Sequence, residues 1–157
     1  RSRPPIGVQA RCRLRPAQQA TVTTLAHAVV DAPSVVRSTE RSDAVGLPIG
    51  VGGEQAFHLP GAWIGFLRLE PGAASPWHHH GEWHSYAYVT EGVLRWEFGP
   101  GGGDSIEIAA GDVGRMPAWV IHRDVSAGTE DLAMVLFRAG EGPLTIDVAG
   151  PDGGDRS

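Results

Sequence analysis

From Trp63 to Val148 the chain is cut into short pieces. Glycine, proline or Asp-Gly clusters recur at close, regular spacing, and several of the pieces between them alternate apolar with polar residues. Val93–Phe98 shows the pattern best, setting Val93, Arg95 and Glu97 against Leu94, Trp96 and Phe98. That is the period of a half-buried strand, because successive side chains point to opposite faces. Trp63–Leu69, Ser85–Thr90, Ser105–Ala109, Val113–Met116, Val120–Val125, Leu132–Arg138 and Leu144–Val148 read as further strands. Turns fall at Glu70-Pro71-Gly72, Gly99–Asp104 and Ala110-Gly111-Asp112. Roughly eight or nine short strands with no convincing helix predict an all-β sandwich or barrel. Periodicity alone does not choose between the two.

The 157 residues allow one domain with a proper core. A net charge of −5 argues against a nucleic-acid partner for the body of the chain. All 13 basic residues are arginine, which excludes lysine Schiff-base chemistry and a P-loop lysine. Cys12 is the single cysteine and has no partner for an internal disulfide, so nothing argues for secretion and a cytoplasmic protein is expected. No run is apolar enough to span a membrane. Residues 1–34 are read as an Arg/Pro-rich, disordered arm. Its acid-poor start also looks like a targeting peptide, but it has no amphipathic pattern. The barrel domain is placed at 35–149, with Val35-Val36 at its opening and Gly46–Gly53 as a loop, and 150–157 form a polar tail. His27 is read as a surface or packing residue.

Chemistry is concentrated in two stretches, Trp77–Gly92 (WHHHGEWHSYAYVTEG) and Gly111–Ser126 (GDVGRMPAWVIHRDVS). Imidazole is the commonest metal-binding side chain. On a strand, residues two apart share a face. His78 and His80 therefore point one way and His79 the other, and His122 on a second strand can complete a shared site. A solvated patch is the plainer alternative, with Trp77 and Trp83 as packing residues.

The spacing adds to this. Gly72, five residues, His78-x-His80 and a strand ending at Gly92 resemble the first motif of the cupin superfamily. Gly111, five residues, Pro117 and then His122 resemble its second motif, with a hairpin through Gly99–Gly103 between them. The segment around Gly142-Pro143 and Val148–Asp152 also looks like small single-domain bacterial cupins with an HHHG-type first motif. The resemblance covers roughly residues 35–152. It implies a cupin β-barrel, a double-stranded β-helix or jelly roll, with one metal site. The family's first motif has a glutamate after HxH. Counting back from Gly92 puts Ser85 there; counting forward from His80 puts His84 there. His84 is favoured because serine is a poor ligand, and a one-residue bulge would reconcile the spacing. Glu82 is a fallback carboxylate in a glycine-containing loop. The expected ligands are thus His78, His80, His84 and His122. The second motif also departs, with Trp119 where a glycine is usual and Ser126 where an asparagine is usual.

Nitrogen-only coordination fits a divalent transition metal, Fe(II) foremost, with Ni, Zn, Cu or Mn as alternatives. Four neutral imidazoles leave the ion its full charge, which favours a small organic anion as ligand or substrate. Arg68, Arg95 and Tyr86 are substrate contacts only if their faces turn inward; an exterior place is expected. The favoured function is a mononuclear metal enzyme of the dioxygenase kind, with metal-dependent isomerase or lyase chemistry close behind. The other readings are a non-catalytic metal or ligand sensor and a barrel with a structural role only. The resemblance implies a homodimer.

Overall fold

The structure is a computed structural model that describes residues 33–48 and 51–151. The chain divides between Ser34 and Val35 into two units, and every strand among the described residues belongs to the second. The arm expected over 1–34, with Cys12 and His27, lies almost wholly outside the described residues, and so does most of the tail.

The strands are β1 (Ser42–Asp43), β2 (Gly53–Leu59), β3 (Ala62–Leu69), β4 (His78–His79), β5 (His84–Glu91), β6 (Val93–Phe98), β7 (Asp104–Ala109), β8 (Val113–Met116), β9 (His122–Ser126), β10 (Leu132–Ala139) and β11 (Ile146–Asp147). Two sheets form. One runs β1-β2-β3-β10-β5-β8 and the other β11-β4-β9-β6-β7. Every ladder is antiparallel. Neighbours such as β3 and β10, or β4 and β9, are far apart in sequence, so the ribbon is rolled rather than folded as a simple meander.

Alternation decides what lies between the sheets. Leu67, Leu69, Ala87, Val89, Met134 and Leu136 come from one sheet, and Leu94, Trp96 and Ile108 from the other. Each large aliphatic side chain so buried contributes about 1.5–3 kcal/mol. Gly114 on β8 has a specific task. A Cβ there would sit 2.6 Å from the Trp96 ring, so only glycine lets that indole lie flat in the core.

The structure departs from the sequence reading in four places. β2 was not anticipated; its alternation is weak because none of its residues is fully buried. The second-motif strand starts at His122, not Val120, because Trp119 has φ +66° and breaks the extended run. The histidine triplet supplies only a two-residue strand. The bulge expected near His84 lies instead at the far end of β5, where Thr90 is skipped between the pairs Ala133–Glu91 and Met134–Val89.

Candidate metal centre

His78 and His122 face each other across the β4–β9 ladder. His80, two residues on from His78, comes up beside them. The ring centroids are 4.4 Å apart for His78–His122, 5.0 Å for His78–His80 and 4.9 Å for His80–His122. One ligand nitrogen from each lies within 4.8 Å of the others, so the three can hold one metal ion. All three side chains are buried.

The main chain fixes how these rings are turned. Nδ1 of His78 donates to the Pro76 carbonyl at 2.9 Å, Nδ1 of His80 to Leu144 at 2.8 Å, and Nδ1 of His122 to Val120 at 2.9 Å. A carbonyl only accepts, so each neutral ring carries its proton on Nδ1 and turns a bare Nε2 lone pair inward. Metal-bound histidines are oriented in this way by an outer partner. His78 Nε2 is a buried atom with no hydrogen-bond partner. Such an orphan is costly in a metal-free interior, and a cation would satisfy it. Protonation is disfavoured as well. Burial pushes the His80 pKa well below 6.5, helped by the charges of Arg138, His122 and His78. Burial likewise lowers that of His122 to about 4, against the pull of Asp124. Neutral imidazole is the form that binds metal. The residues present fit a divalent metal.

Residues 65–138 match the family model for a cupin domain. The barrel is a cupin fold. Solved structures bear out this likeness at low identity. An uncharacterized protein with a double-stranded β-helix domain from Klebsiella pneumoniae is 16% identical, over 65% of this chain and 88% of that one, with a TM-score of 0.56. KdgF from Halomonas sp. is 20% identical, over 70% and 96%, with a TM-score of 0.55. A mutant of the Bacillus subtilis oxalate decarboxylase OxdC is 23% identical, over 65% of this chain but only 30% of the longer one, with a TM-score of 0.54. No curated protein matches the chain in sequence.

Of the four expected ligands, the cupin barrel brings together His78, His80 and His122. His84 stays outside the group. Alternation along β5 turns Ser85 inward and buries it, while the Nδ1 of His84 accepts the Ala118 N–H at 3.3 Å. Ser85, the other residue that the motif count offers for the glutamate position, is the one that faces inward, and its buried hydroxyl lacks a partner. Glu82 is exposed. His79 points away, as its spacing requires; it accepts the Gly81 N–H at 3.1 Å and lies against Trp119. Arg68, Arg95 and Tyr86 sit on outer faces, with Arg68 paired to Glu91 and Arg95 to Glu97.

Two inward residues escaped the sequence reading, Asp124 and Arg138. Both could have been found by counting in twos, from His122 along β9 and from Leu136 along β10. Arg138 is buried, stacks 5.2 Å from the Trp63 ring and donates to the Leu144 carbonyl at 2.6 Å. Burial draws its pKa down to about 10, so it stays cationic at neutral pH. Its Nε has no partner. A cavity of about 550 Å³ lies among β6, β7 and β8, lined by Trp96, Phe98, Ile106, Val113 and Met116 among others; none of the candidate ligands lines it. Among the described residues no helix is long and apolar enough to cross a membrane.

Proposed function

We propose that this chain is a metal-binding cupin and a mononuclear metal enzyme acting on a small organic anion. The convergence of three buried histidines, with the Nε2 of His78 left without a partner, carries the reading. Fe(II) is the ion we favour, and when bound it would supply Lewis acidity and a place for dioxygen. The chain's own residues define the rest. His78, His80 and His122 would hold the ion. Arg138 supports an anionic partner, because its guanidinium shares the Leu144 carbonyl with His80 and keeps Nε free. A guanidinium suits a planar carboxylate or enolate. The Bacillus subtilis neighbour is named for oxalate, a precedent on this fold for a small dicarboxylate.

The test is oxygen uptake by protein loaded anaerobically with Fe(II) and offered a panel of small carboxylates and enolisable diketones. Consumption that stops on chelation is expected. Activity unchanged after complete chelation would remove the proposal. Tight binding of an anion without turnover would instead favour the sensor reading. The metal itself is tested by elemental analysis. One ion per chain is expected, lost in the His80→Ala, His122→Ala double variant.

A further inference from the structure

Asp124 lies two residues beyond His122 on the same inward face of β9. Its Oδ2 is 3.9 Å from His78 Nε2 and its Oδ1 is 4.0 Å from His122 Nε2. Neither separation is a hydrogen bond. In the neutral Nδ1–H form that the Pro76 and Val120 carbonyls favour, neither ring has a proton on Nε2 to share. Acceptors therefore face acceptors in a buried space, an arrangement that is repulsive unless a cation stands among them.

The separations to His78 and His122 suit a common ion, although Asp124 stands outside the 4.8 Å group that the three histidines form by themselves. Two donor atoms bound at roughly 2.1 Å to one metal can be no more than roughly 4.2 Å apart. The carboxylate is also held in place. Trp96 Nε1 donates to Oδ1 at 2.8 Å. The Asp124 N–H donates to Ser75 Oγ at 2.9 Å, and the Ser75 N–H donates to the Asp124 carbonyl at 2.9 Å. Ser75 Oγ also lies 3.4 Å from His78 Nδ1, so one serine steadies two members of the group.

We infer that Asp124 is the fourth protein ligand, a carboxylate supplied by the second motif's strand in place of the one missing from the first. The inference rests on the metal-binding reading above and deepens it. Ser85, the inward-facing residue that the motif count offers for the first-motif glutamate, has no carboxylate, and Asp124 delivers the negative charge from the opposite sheet. A divalent ion held this way keeps one net positive charge, not two.

Co(II) is the probe. Wild-type protein and Asp124→Asn are titrated with Co(II) and followed by calorimetry and by visible absorption. Asparagine keeps an oxygen for the Trp96 N–H, and the melting temperature of the metal-free variant checks that it folds. Affinity is expected to fall by roughly 100-fold or more, with a changed visible spectrum. Affinity within about threefold of wild type, with a superimposable spectrum, overturns the inference while leaving the three-histidine site standing. Should wild type itself take up no Co(II), both readings fail. A crystal structure of wild type with Co(II), located by anomalous scattering, decides independently of the variant. An Asp124 oxygen within about 2.3 Å of the ion is expected, and one beyond about 3 Å overturns the assignment.

Discussion

Trp119 holds a backbone conformation that side chains avoid. Its φ of +66° costs about 1–2 kcal/mol for an L-residue with a Cβ. The Trp119 N–H compensates by donating to the Gly81 carbonyl at 2.9 Å, and the ring lies 5.4 Å from that of His79. The motif that this stretch resembles has glycine here, a residue free to take such a φ. Trp119→Ala keeps the strain and loses the ring, whereas Trp119→Gly loses both. The glycine variant is therefore expected to unfold at higher urea than the alanine variant, the reverse of the usual order in ordered structure. An alanine variant as stable as the glycine one would refute the account. At the same scale, His80 and His122 set an acid limit on the metal-free protein. Their folded pKa values lie below the unfolded value of 6.5, that of His122 at about 4. The unfolded chain then binds more protons between those limits, so stability rises with pH across that window and is lost as pH falls from 6.5 toward 4. Each histidine adds a slope of up to about 1.4 kcal/mol per pH unit. Denaturation midpoints of metal-free protein that stay flat over that range would contradict the buried, neutral assignment.

At the scale of the element, β8 and β6 depend on one missing side chain. Gly114→Ala would drive a methyl into Trp96 and displace the indole that donates to Asp124. The expected loss is about 1–3 kcal/mol, with weaker metal uptake, while Gly52→Ala, with open space around it and no left-handed φ, leaves the Trp96–Asp124 bond intact. Urea titration of the two variants with and without Zn(II) checks both. How far the sequence could be read follows the same lines. β6 and β8 were legible to the residue because one face is buried and the other wet. β2 was not, since it lies toward the edge of its sheet and buries neither face fully. His84 was chosen by chemical preference over strand parity. Parity was the better guide, because an unbroken ladder from His84 to Val89 leaves no freedom to turn the imidazole inward. Asp124 and Arg138 went unread for a related reason. Composition marks charged residues as exterior, and only the register of the neighbouring histidine or leucine shows otherwise.

For the molecule as a whole, one stretch of the outer face of the six-stranded sheet is apolar. Ile64, Phe137 and Tyr86 form one cross-strand row, and Phe66, Val135, Tyr88 and Val113 the next. Tyr86, Tyr88, Val113 and Phe137 are exposed. A contiguous patch of this kind marks a contact surface. We propose that two copies of the chain meet there. Light scattering is expected to give twice the chain mass, and the Tyr88→Asp, Phe137→Asp variant that of a single chain. A wild-type protein that remains single at high concentration would rule this out.

The pairing of His78 with His122 joins parts of the chain that synthesis and diffusion bring together late. Contacts between distant segments form only after the entropy of closing the intervening loop has been overcome. The three-histidine cluster is therefore expected to form late rather than to nucleate folding. It assembles when the roll is nearly closed, and an ion added at the start of refolding would leave the early rate unchanged and slow only the reopening of the finished barrel.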